Sequence, residues 1–228
     1  MTISSRRIVS IAAVAFLAAV VVADTRALVQ PQGQAQPQGP RRPTPPPAPD
    51  GATDIWTIDT SHTSAQFAVK HMLVSTVRGT LGPVVGWIRY DGSNPSSIAA
   101  NVAIDVTNID TGNGRRDNHL RSDDFLLVEQ HPDITFVSKR AEPAGDGRFR
   151  LIGDLTMRGT TREVVLDVEG PSQPVQRNAR GPQIVGATAT TTVNRKEFGV
   201  KYNALIEAGG AVVSDEVRIT IDIEARKR

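Results

Sequence analysis

The chain contains no cysteine. That absence removes disulfide staples, thiolate zinc sites, covalent haem attachment, thiol catalysis and lipoprotein acylation together. It does not decide the compartment. Aromatic residues are also scarce, at 4% of the sequence, so any core must be mainly aliphatic. None of the four histidines pair at metal-ligand spacing such as HExxH, and the GxSxG elbow, the P-loop and GxGxxG are all missing. Neither a cofactor nor a metal is implied. Asp123 and Asp124 are adjacent carboxylates, but neighbours in sequence do not share a helix face, which suits solvated groups better than a catalytic pair. An enzyme is therefore the reading these residues support least.

Long apolar runs are lacking too. Ile8–Ala23 is uncharged and apolar but has only 16 residues, short of the roughly 20 that span a bilayer. Arg6 and Arg7 precede it, and Val21-Val22-Ala23 offers small residues for cleavage, so residues 1–23 read as a signal peptide of a periplasmic or secreted protein. An uncleaved leader acting as an anchor is the alternative. Residues 24–52 are rich in Pro and Gln, cannot offset their ordering entropy, and read as a disordered linker and extended spacer. PRRPTPPPAP within it also fits an SH3-type ligand.

The overall charge of +2 is a property of this extension. Residues 1–52 hold five arginines and two acids, leaving 21 basic and 22 acidic residues in the rest. With a charge near −1, the domain is a poor nucleic-acid binder.

From residue 53 to residue 228 the pattern is strands. Ala65, Phe67, Val69 and His71 alternate with Ser64, Gln66, Ala68 and Lys70. The same period of two places Ile104 and Val106, then Leu155 and Met157, then Leu166, and finally Ile221, on apolar faces. With runs at 77–90, 134–141 and 184–193 the count reaches eight long strands, plus a short one around Trp56. Links such as Met157-Arg158-Gly159-Thr160 are hairpin-length, so neighbours pair antiparallel. The expected fold is all-β: an eight-stranded antiparallel up-and-down β-barrel, lipocalin-like, with one short helical insertion. A two-sheet sandwich is the competing architecture. The aliphatic inward faces fit either a lumen open to an apolar ligand or a barrel packed solid.

The insertion lies in Ile109–Phe136, where alternation stops and Arg115, Arg116, Asp117, His119, Arg121, Asp123 and Asp124 crowd together. Asp110 or Asn113 could cap its short helix, and Pro132 closes the passage before the strand at Ile134.

This stretch, IDTGNGRRDNHLRSDDFLLVEQHPDITF, and the opening WTIDTSHTSAQFAVKHMLVSTVRGTL resemble the YceI-like family. LIGDLTMRGTTREVVL, NRKEFGV and SDEVRITIDIEA follow in the family's order, so the likeness spans roughly residues 55–225. Leu81, where an aromatic is more usual, and Leu126-Leu127 after Phe125 depart from it. The resemblance implies a lipocalin-like barrel whose tunnel takes a polyisoprenoid, isoprenoid quinone or other long-chain lipid, as an envelope carrier or stress-related binding protein. The alternatives are a packed envelope scaffold or stress protein without ligand and, weakest of the three readings, a barrel enzyme that modifies a lipid. Membrane association would then be transient or through the leader, and pairing into a homodimer stays open.

On this reading Phe67, Val69, His71, Leu120, Phe125 and Phe136 join the strand residues above in lining the lumen. Arg78, Arg116 and His119 are the candidates for the lipid head group. Arg116 and His119 have a second role open to them, as braces holding the helix over the barrel end.

Overall fold

The computed structural model describes residue 41, residues 43–204 and residues 212–227. The expected signal peptide and residues 24–40 of the expected linker lie outside the described residues. The strands are β1 (Ile55–Ile58), β2 (Ser64–His71), β3 (Ser75–Thr80), β4 (Val84–Arg89), β5 (Ala99–Asp105), β6 (Asp133–Gly145), β7 (Arg148–Met157), β8 (Thr160–Glu169), β9 (Val175–Gln176), β10 (Gln183–Asn194) and β11 (Val213–Lys227). One helix, α1 (Gly114–Arg121), stands between β5 and β6.

Every pairing is antiparallel, and the ring closes. Strands β1 and β2 share β11 as partner, β1 beside residues 225–227 and β2 beside residues 213–222. Strands β3 and β4 flank them in the same way, β3 on β2 and β4 on β1. Each of these pairs is one interrupted stave. Then come β5, β6, β7, β8, β10 and β11, which makes eight staves in chain order. The long β10–β11 ladder, Ile184↔Arg226 to Asn194↔Glu216, helps complete the closure. A closed barrel leaves no long edge unpaired.

The continuous strand expected over 77–90 is divided in two. Gly82 adopts φ +140°, and a Cβ there would lie 1.9 Å from the Asp105 carbonyl oxygen. Pro83 follows and cannot donate to a ladder. The chain bends here, and Leu81 is left on the inside, 6% exposed. In β6 a bulge between Ser138 and Arg140 changes the facing, so that Phe136 and Ala141 both join the core.

The helix is tied down at several points. Asn113 is its cap, accepting from the Arg116 amide at 3.1 Å, while Asp110 accepts from the Gly112 amide at 2.7 Å. Asp117 is buried and takes both the amide and the hydroxyl of Thr111. Arg121 donates to the carbonyls of Thr107 and Ile109 at 2.9 and 3.0 Å. Asp110 also pairs with Thr80 through both backbone groups, which docks this passage on β3. Gly79 is required beside it, since a Cβ would stand 2.6 Å from the Asp110 carbonyl oxygen.

The end of the Pro-rich segment lies on the barrel wall. Arg41 forms a two-pronged pair with Asp133 at 2.6 and 2.7 Å, and Trp87 Nε1 donates to the Pro47 carbonyl at 2.8 Å. The spacer expected over 24–52 is thus fastened to the barrel from Arg41 onward.

Candidate functional site

The inward parity of the strands builds a lumen of two chambers. The inner one, about 80 Å³, is walled by aliphatic and phenyl side chains, among them Ile104, Phe136, Leu155, Leu166 and Ile221. The outer one, about 230 Å³, is bounded by Phe67, Val69, His71, Leu120, Phe125 and Met157, with Val77 and Leu126. Leu81, Ile134 and Ile219 line both chambers. These three form the waist between them.

Eleven of the twelve lumen residues expected from sequence therefore do face the lumen. Val106 is the exception: β5 ends at Asp105, and Val106 enters a 3-10 turn that buries it in the core instead. Asp105 drives that turn, accepting from the Thr107 amide and hydroxyl at 2.9 and 2.6 Å.

Two of the three head-group candidates meet at the outer chamber. Arg116 and His119 line it, and Arg78 does not. Arg78 lies opposite Ala68 in the ladder, while Val69↔Val77 and Phe67↔Gly79 take the inward parity. Its side chain is exposed on the outer wall. Arg116 spends two of its donors within the chain, on the Thr111 hydroxyl at 2.7 Å and the Thr111 carbonyl at 3.0 Å. His119 Nε2 is 2.8 Å from Asp124. Both residues act as braces while also facing the chamber.

Two further residues at this end carry no assignment in the sequence reading. Tyr202 stacks with Phe125 at 4.9 Å and meets the His119 ring edge-on, so that three rings close part of the chamber. Arg195 is 3% exposed and directs its donors at the carbonyls of Val200, Tyr202, Val213 and Ser214 and at Asp215. Burial lowers the Arg195 pKa, and Asp215 opposes that shift. With its donors engaged, Arg195 holds the segment after β10 against the start of β11 and offers little to a ligand. The one sequence signal for it was the motif NRKEFGV, in which Asn194 caps the turn and Gly199 leaves it at φ +78°.

Metal ligation has one candidate among the described residues. Donor atoms of Asp59, His62 and Glu224 lie within 4.8 Å of one another. Arg226 contacts both carboxylates, so a cation already stands there. The cluster reads as an ion-pair network at the foot of β11.

A closed antiparallel barrel around an apolar lumen, with a helix and an aromatic cluster at one end, defines a lipocalin-like class of ligand-holding barrel. Within that class the chain belongs to the YceI-like family, whose domain model matches residues 56–225. A UPF0312 protein of Staphylococcus aureus (strain USA300) is 34% identical over 170 residues, covering 74% of this chain and 95% of that one. The YceI protein of Campylobacter jejuni superposes with a TM-score of 0.60 at 27% identity, over 70% of this chain and 90% of that chain. A polyisoprenoid binding domain from Saccharophagus degradans shares the fold with a TM-score of 0.56 at 12% identity, over 76% of this chain and 98% of that one.

Proposed function

We propose that the barrel binds one long apolar lipid non-covalently, of polyisoprenoid, isoprenoid-quinone or fatty-acyl type, as an exported envelope carrier or stress-related binding protein. The observation that carries this reading is the pair of apolar chambers sharing the waist of Leu81, Ile134 and Ile219. A tail threaded through that waist gains about 0.8 kcal/mol per buried methylene, so affinity needs few polar contacts. An apolar cavity of about 150 Å³ is enough to hold benzene, so the outer chamber, at about 230 Å³, accepts part of a tail as it stands. The inner chamber is smaller, and filling it requires aliphatic side chains at the waist to change rotamer. The name of the Saccharophagus degradans domain supports an isoprenoid as the first ligand to test. Binding without chemical change fits a lumen whose inner wall is mainly aliphatic and phenyl, with Tyr90, Thr135 and Thr191 its few hydroxyl-bearing members and no carboxylate, histidine or lysine among them.

The test is mass spectrometry of the purified protein, native and after organic extraction, with protein refolded from denaturant as the blank. A stoichiometric lipid, returned unaltered after incubation, supports a carrier. An altered lipid identifies an enzyme. Protein that is empty and refuses added prenyl and acyl lipids is a packed scaffold, the reading that the small inner chamber favours.

A further inference from the structure

Six large apolar side chains are exposed among the described residues, and three of them are consecutive: Met72 is 44% exposed, Leu73 68% and Val74 84%. The other three, Val137, Val165 and Val175, stand on three different strands, β6, β8 and β9. Met72-Leu73-Val74 is the loop of the β2–β3 hairpin, closed by the His71↔Ser75 pair. Met72 and Leu73 adopt φ +52° and +60°, a left-handed backbone that turns usually give to Gly, Asn or Asp. Bulky apolar side chains add nothing to such a turn, and these three take no part in the core. Their use lies outside the molecule.

The loop is held at the rim of the lumen. The Val74 amide donates to the His71 carbonyl at 3.1 Å, and the Met72 amide to the Val212 carbonyl at 2.8 Å. His71, Val77 and Val212 beside it all line the outer chamber. A hairpin tip is a protrusion and offers no groove. A protein partner would need a matching socket, whereas the interface of a bilayer takes a protruding apolar tip without one.

Charge selects the kind of bilayer. Residues 64–80 contain Lys70 and Arg78 and no Asp or Glu. Both cations are exposed and share the outward parity of the ladder, opposite to Val69 and Val77. Neither is ion-paired among the described residues. Several acids at this end of the barrel already have cations of their own. Asp215 meets Arg195 and Lys196, while Asp123 and Asp124 share a basin with Arg158 and Lys201. Cations left over beside an apolar tip are drawn to acidic head groups.

We propose that the Met72-Leu73-Val74 tip docks the outer-chamber end of the barrel on an anionic membrane surface, its side chains entering the interface and Lys70 and Arg78 meeting the head groups. The docking stands on the hairpin's own residues; its use, passing a lipid between bilayer and outer chamber, rests on the lumen reading above.

The chain has no cysteine, so Leu73→Cys carries a single environment-sensitive dye at the tip. Strands β3 and β4 run away from the tip in one direction, so Ser96→Cys, in the exposed β4–β5 link, places the same dye at the other end. Each labelled full chain is mixed with vesicles of phosphatidylcholine, with or without phosphatidylglycerol, some holding a quencher in their acyl chains. With phosphatidylglycerol present, the dye at 73 should shift to the blue and be quenched, and the dye at 96 should do neither. Val74→Asp should lower the ratio of inserted to free tip tenfold or more, the value of burying one aliphatic side chain. Lys70→Gln and Arg78→Gln should each lower it about fivefold. A silent dye at 73, an equal response at 96, or an equal response to phosphatidylcholine alone overturns the proposal. So does a shift without vesicles that grows with protein concentration, which would mark a contact with a second copy. Unlabelled Val74→Asp should bind a fluorescent fatty-acyl probe in vesicle-free buffer as wild type does, and loss of that binding would assign the tip to the lumen wall instead. If wild-type protein binds no probe, the lumen reading falls, and the docking is still decided by the dye.

Discussion

His119 on α1 stands edge-on to Tyr202, with ring centroids 5.0 Å apart and planes at 87°. The contact joins the helical insertion to a segment that follows β10, two parts of the chain with no ladder between them. Phe125 completes the cluster, 5.0 Å from His119 and 4.9 Å from Tyr202. All three rings line the outer chamber, so a ligand held there lies against them.

Loosening the cluster should therefore act on ligand exchange more than on the fold. Tyr202→Ala removes two ring contacts worth about 0.5–1.5 kcal/mol each. A stability loss of about 1–3 kcal/mol in urea unfolding is expected from those contacts, with release of a bound prenyl lipid accelerated in stopped-flow dilution. Unchanged release with lowered stability would assign the rings to the fold alone.

At the waist, Leu81 should set tail length. Leu81→Phe adds bulk where both chambers meet, and overpacking there costs about 1–3 kcal/mol. Affinity for long prenyl chains should fall about tenfold or more, by the conversion of that cost, while chains short enough for the outer chamber keep theirs. Leu81→Ala should relax the length preference and destabilise the barrel by about 2–5 kcal/mol. Titrating a series of tail lengths against each variant distinguishes the two effects.

Arg195 gives a third expectation. Arg195→Met would leave the carbonyls of Val200, Tyr202, Val213 and Ser214 without the donor they share. Removing one side of such a buried charged network costs about 3–5 kcal/mol. Chemical denaturation should show that loss, and hydrogen exchange should show it concentrated around 200–202 and 213–215.

The network at Asp59 and His62 predicts a pH dependence. The hydrogen bond to Asp59, followed by the nearby charge of Glu224, raises the His62 pKa above its ordinary 6.5. The same hydrogen bond is the main reason the Asp59 pKa falls below its ordinary 3.8. Histidine's share of stability is fully present below its unfolded value and fades as pH rises through the raised folded value; aspartate's is present above its unfolded value and fades as pH falls through the lowered one. The pair should contribute most between about pH 4 and 6.5. Melting curves across pH 3–9 should show His62→Ala flattening the upper decline and weakening the acid limb as well, leaving of the latter only what the Ser61 amide and the Arg226 charge give Asp59.

Much of the barrel was legible in the chain because a period of two is a local signal. Phe67, Val69 and His71 declare their face within a few residues, as do Leu155, Met157 and Leu166. Val77 in the same pattern already implied that Arg78 points outward, although its place in a family motif suggested a ligand. The break at Gly82-Pro83 was masked by apolar residues on both sides of it. Val106 kept the parity of β5, but Asp105 ends the strand through hydrogen bonds that alternation cannot express. Arg195 and Tyr202 were hidden for a different reason. Their roles depend on carbonyls and rings brought together by closure, and Arg158 acquires its neighbours only when the β7–β8 turn meets Asp123 and Gly199.

The ladder that pairs Trp56 with Lys227 joins nearly the two ends of the described chain. Closing it demands the largest loop in the molecule, and β11 is the common partner of β1, β2 and β10. Until β11 docks, two long flanks of the sheet stand open. Folding should then be limited by this final non-local pairing, in the millisecond-to-second range of proteins rich in distant contacts, and the same interval is when the chain is most exposed to edge-to-edge aggregation.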